Sequence, residues 1–128
     1  MFDIQRIQLL LNRIEDAIEL IQLKAQQITS PNDFLLDQEG MFLLSGICMQ
    51  LIFIGESVKT IDNKTQHLYL KDYDTIPWNA IMGLRDIIAH EYHRIDEEEI
   101  FHVIKSDLDP LLLTIRRMKL ELPSYVPL

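Results

Sequence analysis

The residues best suited to chemistry lie close together between positions 85 and 94. These ten residues include two arginines, two histidines, two acids and a tyrosine: Arg85, Asp86, His90, Glu91, Tyr92, His93 and Arg94. The segment before them is mostly apolar, so the polar group stands out in the chain. A guanidinium pairs with two phosphate oxygens, and an imidazole gives or takes a proton near neutral pH. Such a set is suited to cleaving a phosphodiester.

Metal-free cleavage of RNA needs a base for the 2′-OH proton, an acid for the departing 5′-oxygen and a cation for the charge on the phosphorane. We therefore predict that His90 is the acid/base catalyst and that Arg85 stabilises the phosphorane. Asp86 precedes His90 by one helical turn, so its carboxylate is placed to fix the imidazole tautomer. Glu56, in an earlier helical segment, is predicted to anchor a cation such as Arg85.

Simpler interpretations of these residues stay open. Asp86 and His90 have the spacing of an ordinary surface pair on a helix, and Arg85 can be a solvated side chain. A metal site on His90 and His93 lacks a third ligand at a recognisable spacing. No serine or cysteine adjoins a histidine–acid pair, and Cys48 lies in an apolar run typical of a packing residue. We predict no metal and no cofactor.

The spacing of Arg85 and His90 limits how they act together. Residues five apart on an ideal helix point about 140° away from each other. Either the helix is distorted around Ala89 to Tyr92, or the two residues meet their counterparts across a twofold axis. We prefer a homodimer, because a symmetric contact would bring two arginines and two histidines into one cleft.

Helical periodicity predicts the elements that position these residues. Apolar residues recur in steps of three and four from Ile4 to Ile28, which predicts a long amphipathic helix that ends at Ser30-Pro31. Its strict stripe leaves room for a partner helix. A second, strongly apolar helix is predicted from Asp37 to Ile61. Gly55 within it lowers helix propensity and indicates the close approach of another backbone.

The second half of the chain is predicted to begin with a polar connecting loop over residues 62–74. One helix then starts near Pro77 and Trp78, with Trp78 buried, and carries the polar group. Another begins at Asp96, which has a capping-box pattern, and breaks or kinks at Asp109-Pro110 before a last helix. We expect an all-α, antiparallel four- or five-helix bundle forming a single domain over residues 1–128.

Composition bounds the class of protein and its location. With 128 residues, of which 48% are hydrophobic, the chain is long enough for one globular core. Its formal net charge of −8 gives no general attraction to phosphate backbones, so any contact with nucleic acid must be local. We find no signal-peptide pattern and no stretch approaching the roughly 18 apolar residues of a membrane span. We expect a cytoplasmic protein with no membrane contact.

A longer motif resembles a known family. The run IPWNAIMGLRDIIAHEY from Ile76 to Tyr92, followed by Ile95-Asp96, resembles the signature of the HEPN superfamily and, more closely, of the HepT-like toxins. Their motif of Arg, four to six residues and His is extended here to Arg-x4-His-x-Tyr. Gly55-Glu56 and the Asp109-Pro110 break also fit. The resemblance implies a HEPN-like bundle that dimerises, with Arg85 and His90 lining a shared cleft, and metal-independent endoribonuclease activity.

The resemblance also implies a partner. In a type VII-like toxin–antitoxin pair the antitoxin is a minimal nucleotidyltransferase, which can inactivate the toxin by attaching AMP to the motif tyrosine, here Tyr92. A bulky anionic phosphate beside Arg85 would occupy the cation meant for the RNA substrate. Two alternatives remain: Tyr92 has only a packing role, or the chain is a non-catalytic module that binds nucleotide, RNA or a partner protein.

Overall fold

The computed structural model describes residues 3–90 and 96–125, and only the backbone of Ile87, Ala89 and His90. Within these ranges it contains α-helices and short 3-10 and π turns, and no strand. The α-helices are α1 (Ile4–Lys24), α2 (Gln38–Lys64), α3 (Trp78–Met82), α4 (Leu84–His90), α5 (Glu97–His102) and α6 (Leu108–Glu121). They form four helical segments, because α3 adjoins α4 and a π turn joins α5 to α6. The predicted all-α fold is confirmed; the single-domain extent stays a prediction.

Helix α1 packs against α2 and α6 through the stripe that its sequence predicted. It begins after Asp3, whose carboxylate accepts a hydrogen bond from the Arg6 N–H at 3.1 Å. Ile7, Leu11 and Ile14 are fully buried within this one chain. The expectation that the stripe leaves room for a partner helix is therefore wrong, because the chain's own helices already cover it.

Helix α6 runs antiparallel to α1, as their side-chain pairs show. Glu15 pairs with Lys119 and with Arg116, whose Nε lies 3.0 Å from a Glu15 oxygen. One turn and two turns further along α1, Glu19 contacts Arg116 and Gln22 contacts Asp109. Partner numbers on α6 fall as those on α1 rise, which defines opposite directions. The first and last helices are thus held together by polar contacts at the edge of the core.

Helix α2 is the centre of the bundle and packs against α1, α3 and α4. Asp37 caps it by accepting a hydrogen bond from the Gly40 N–H at 2.7 Å. By length and composition it is apolar enough to cross a membrane, contrary to the expectation that no segment is. The core helix of a soluble protein passes the same test, and here Leu51 and Ile54 are fully buried among neighbouring helices.

The predicted third helix is divided in two. Trp78 begins α3 and is buried, with its indole N–H donating to the Tyr73 carbonyl at 2.9 Å, which confirms its expected core position. The helix is interrupted at Gly83, and α4 follows at once. The Gly83 carbonyl accepts a hydrogen bond from the Asp86 N–H at 3.1 Å, so the joint between the two helices stays hydrogen-bonded.

The expected break at Asp109-Pro110 is wrong in position. Asp96 caps α5 by accepting bonds from the N–H groups of Glu98 and Glu99, as predicted. The irregularity lies earlier, in a π turn over Val103–Asp107, and α6 contains Pro110. Pro110 is the third residue of α6, where a missing N–H costs no internal hydrogen bond. The wider π turn just before it accommodates the ring, so the helix continues.

The segment predicted as a polar loop also contributes to the core. Helix α2 continues to Lys64, and a 3-10 turn follows over Leu70–Tyr73. Tyr69 is fully buried and stacks edge to face on both Tyr73 and Tyr125, with ring centroids 5.7 and 4.9 Å away. The burial of Tyr69 and Tyr73 was not predicted, because the apolar stretch Leu68-Tyr69-Leu70 is short and has polar residues on both sides. The loop therefore joins the end of α2 to the C-terminal part of the bundle.

Candidate active site

The close approach that Gly55 predicted is confirmed, and it sets the position of α3. A Cβ atom built on Gly55 would lie 2.7 Å from the Ile81 carbonyl oxygen, closer than real side chains come to backbone. Only glycine therefore lets α2 and α3 pack at this distance. Because α4 follows α3 directly, this contact also places the start of α4 beside the next residue of α2.

That residue is Glu56, and it pairs with Arg85. The Glu56 Oε1 lies 3.2 Å from the Arg85 Nε, with 42% and 60% of the two side chains exposed. The predicted contact is thus confirmed, while its role stays a prediction. Because the ion pair is made through Nε, the terminal nitrogens of the guanidinium remain available to a phosphate.

The other predicted site residues are described in part. Asp86 is exposed in the first turn of α4 and has no ion-pair partner among the described side chains. The backbone of His90 belongs to α4, which is helical from Leu84 to His90, but its side chain lies outside the described residues. Tyr92 lies outside them altogether. The contact predicted between Asp86 and His90 stays a prediction.

An exposed stripe of apolar and small residues on α2 leads up to Glu56. It consists of Phe42, Gly46, Met49 and Phe53, and the Phe42 side chain is 83% exposed. Alternating steps of four and three residues keep these positions, and Glu56 after them, within a narrow band of the helix surface. The stripe and the Arg85–Glu56 pair therefore form one continuous face of the molecule.

A histidine–aspartate pair that sequence reasoning missed lies at the C-terminal end of α2, beyond Glu56. The His67 Nδ1 is 2.6 Å from the Asp62 Oδ2, with 66% and 16% of the side chains exposed. His67 and its neighbour Gln66 have φ values of 62° and 52°, the left-handed conformation that usually favours glycine. The sequence predicted only a connecting loop over these residues. The signal available for the left-handed turn was the absence of glycine after the end of α2.

Cys48 and the potential metal ligands add no further chemistry to the described part of the chain. Cys48 is a buried free cysteine, as predicted, and burial raises the pKa of its thiol to about 11. It therefore stays protonated near neutral pH and is a poor nucleophile. No three His, Cys, Asp or Glu side chains in the described ranges converge closely enough to hold a metal ion.

Comparison with known proteins agrees with the motif. The family model described as "Ribonuclease HepT-like" matches residues 14–118, which is most of the chain and includes Glu56, Arg85 and His90. The chain therefore belongs to the HepT-like ribonuclease family. No solved structure is significantly similar to it.

Two curated proteins of Methanocaldococcus jannaschii are similar to this chain. One, named "Gamma-glutamylcyclotransferase and putative RNase MJ0434", is 28% identical over 116 residues, which cover 91% of this chain and 49% of that protein. The other, named "Putative RNase MJ1380", is 31% identical over 58 residues, covering 45% of this chain and 50% of that protein. The matches thus span about half the length of each relative.

Proposed function

We propose that the protein is a metal-independent endoribonuclease that acts as the toxin of a toxin–antitoxin pair. The observation that carries the proposal is the ribonuclease family match over residues 14–118. Within the matched region, Glu56 holds Arg85 on the exposed start of α4. Arg85 and His90 are the catalytic residues, and Asp86 and Glu56 position them. Both relatives bear names that include a ribonuclease, which is in keeping with this class of reaction.

The proposed reaction is transesterification within the RNA chain. His90 takes the proton of the 2′-OH, whose oxygen attacks the neighbouring phosphorus, and an imidazolium protonates the departing 5′-oxygen. Arg85 pairs with the non-bridging oxygens as negative charge develops. The P–O5′ bond breaks, which leaves a 2′,3′-cyclic phosphate and a 5′-hydroxyl. Base and acid are two different imidazoles, which is why the site needs two chains.

The proposed homodimer places the exposed stripe of α2 against a second copy. Phe42, Met49 and Phe53 give an uncharged surface that ends at the Arg85–Glu56 pair, so a twofold contact there puts both arginines beside one cleft. Replacing Met49 by Glu should turn the dimer into a monomer in analytical ultracentrifugation. Leu113→Glu, at an equally exposed position on α6, is the control and should leave the dimer intact.

The proposed antitoxin is a minimal nucleotidyltransferase that attaches AMP to Tyr92. The attached phosphate would compete with the RNA phosphate for Arg85, which explains inhibition without any change of fold. Co-expression should add the mass of one AMP to wild type and not to Tyr92→Phe. Recovery of unmodified wild-type protein from cells in which the partner blocks toxicity would contradict the covalent mechanism.

The decisive test of the activity uses purified protein in the presence of EDTA. Wild type should cleave RNA to products with 2′,3′-cyclic phosphate ends. The variants Arg85→Ala and His90→Ala should each lose at least about a hundredfold in rate, the usual contribution of one acid/base or charge-stabilising group. Equal cleavage by His90→Ala would rule out the catalytic assignment.

A second candidate is a non-catalytic module that binds nucleotide, RNA or a partner protein. It is favoured by one observation: Arg85 is already paired with Glu56 in a chain of net charge −8, which weakens its pull on phosphate. This function predicts binding of RNA without cleavage at any protein concentration, and harmless expression in the absence of the partner.

A further inference from the structure

The His67–Asp62 pair lies on the wall of a pocket of about 620 Å³ between the end of α2 and α3. Its polar lining comprises Asp62, His67, Lys71, Asp74 and Asn79. The volume falls within the roughly 300–1,000 Å³ range of small-molecule sites. None of the groups placed in the active site lines this pocket, so its chemistry is separate from theirs.

His67 is held in a fixed orientation on this wall. Asp62 accepts a bond from Nδ1, which leaves the Nε2 atom of the ring for a ligand. The backbone conformation of Gln66 and His67 is unfavourable for residues with side chains. It is maintained by the His67 N–H, which donates to the Asp62 carbonyl at 2.8 Å, and by the Thr65 hydroxyl, which bonds to the Ile61 carbonyl at 2.9 Å.

Three further polar groups of the pocket are unpaired within the described chain. Lys71, Asp74 and Asn79 are all exposed, and none of the three side chains has a hydrogen-bond or ion-pair partner among the described residues. Together they offer a cation, a carboxylate and an amide. The Lys71 ammonium can pair with a phosphate, and the Asp74 carboxylate can accept a hydrogen bond from a ribose hydroxyl. The Asn79 amide can pair with the edge of a base.

The pocket also adjoins the candidate active site along the chain. Met82 lines it at the end of α3, and Arg85, in the first turn of α4, follows three residues later. We propose that this pocket binds one ribonucleotide of the RNA substrate, next to the nucleotide that is cleaved. The proposal rests on the proposed ribonuclease function for its choice of ligand.

The test measures RNA binding separately from cleavage. Binding of a fluorescein-labelled RNA tetranucleotide to His90→Ala protein is followed by fluorescence anisotropy, with the matched DNA for comparison. Adding Lys71→Gln should raise the Kd for RNA about tenfold, as loss of a charge-assisted bond does. It should also reduce the slope of log affinity against log salt by about 0.7, the value for one phosphate contact on a single strand. Lys24→Gln, an exposed lysine on α1, should change neither.

Two more measurements separate ribose recognition and the source of the ligand. Asp74→Asn should raise the Kd for RNA several-fold and leave the Kd for DNA unchanged, because only RNA offers a 2′-OH. In ¹⁵N-histidine NMR of His90→Ala, both 5′-AMP and the tetranucleotide should shift the His67 signal, assigned with His67→Gln. A response to 5′-AMP without any binding of RNA would overturn the assignment to the substrate strand.

The outcomes distinguish this proposal from the proposed function. If wild type cleaves RNA while Lys71→Gln binds it like Lys24→Gln and His67 does not respond, the pocket proposal is overturned alone. If wild type fails to cleave RNA but its affinity for RNA depends on Lys71 and Asp74, the pocket is supported and the ribonuclease function is not.

Discussion

Glu56 shows how a residue without direct contact to the proposed reaction can control it. Its carboxylate holds Arg85 at the start of α4, and both side chains remain substantially exposed. An exposed ion pair contributes only about 0–1 kcal/mol to stability. The value of this pair therefore lies in the orientation of the guanidinium and not in the free energy of folding.

Glu56→Gln tests that separation of roles. We expect kcat for RNA cleavage to fall about tenfold, because a misplaced cation loses transition-state stabilisation, while the free energy of unfolding changes by less than about 0.5 kcal/mol. The matched control is the same substitution in an Arg85→Ala background. There it should have no further effect on kcat, as a double-mutant cycle requires for residues that act through one another. Additive losses would show that Glu56 acts independently of Arg85.

Cys48 gives a second prediction at the scale of one residue. Since burial raises the pKa of its thiol to about 11, the folded protein should react with a thiol reagent at pH 8 far more slowly than the protein unfolded in urea. The rate of labelling, followed by absorbance, measures this difference between folded and unfolded protein. Complete labelling of native protein at the unfolded rate would mean that the thiol is accessible, contrary to its burial.

At the scale of the elements, α2 is a scaffold in which two of the three glycines, Gly46 and Gly55, have opposite surroundings. Gly55 faces the Ile81 carbonyl so closely that a Cβ cannot enter, whereas a Cβ on Gly46 would meet nothing within 4 Å. Both lie in the same helix, so the propensity gain from Gly to Ala, about 1 kcal/mol, is common to both. The difference between the changes in free energy of unfolding caused by Gly55→Ala and Gly46→Ala therefore isolates the packing of α2 against α3.

Gly55→Ala should destabilise the protein by about 1–3 kcal/mol, the usual cost of overpacking, and Gly46→Ala should stabilise it by about 0.5–1 kcal/mol. Urea denaturation at low protein concentration measures both. Gly55→Ala should in addition lower RNA cleavage, because moving α3 carries Arg85 away from Glu56. A Gly55→Ala protein as stable and active as wild type would show that the two helices have room to separate.

The sequence predicted the elements better than their joints. Periodicity predicted the long helices, and the predicted cap at Asp96 follows from local hydrogen bonding, which a sequence displays directly. The π turn before Pro110 and the interruption at Gly83 depend on how the segments pack, which local pattern does not encode. The same limit applies to the His67–Asp62 pair, since its backbone conformation is maintained by contacts with the end of α2.

At the scale of the candidate site, the sequence predicted that Glu56 anchors a cation such as Arg85 and that another backbone approaches Gly55, but it did not indicate that this backbone belongs to α3. The buried Tyr69 was missed, since it and the leucines on either side form an apolar stretch too short to show a helical period. The pocket near it was missed because its lining residues lie in one stretch, 62–82, most of which was predicted as a connecting loop, and only the folding of that stretch forms a cavity. Long-range placement, more than residue chemistry, is what the sequence leaves undetermined.

At the scale of the whole molecule, a charged cluster joins the two ends of the fold. Lys119, together with Arg116, holds the pKa of the Glu15 carboxyl below its ordinary value. A lowered pKa in the folded state means that this carboxylate stabilises the fold above its unfolded pKa, about 4.3, and that the stabilisation is lost as the pH falls through the lower folded value.

Glu15→Gln should therefore reduce the free energy of unfolding by about 1 kcal/mol at pH 7 and have a much smaller effect near pH 2. Urea denaturation at both pH values measures the difference. Asp16→Asn removes a charge from the exposed neighbouring position on α1 and should have little effect at either pH. If the two substitutions lower the free energy of unfolding by the same amount, the charged cluster contributes no more to stability than general charge repulsion does.

The antiparallel pairing of α1 with α6 also has a consequence for how the protein is made. During synthesis α1 leaves the ribosome before α6, which covers part of it, so a chain stopped before Leu108 leaves Ile7, Leu11 and Ile14 short of one of their packing partners. Contacts between segments about a hundred residues apart form late in folding. The core cannot close until translation has passed α6, and prematurely terminated chains are expected to be substrates for proteolysis.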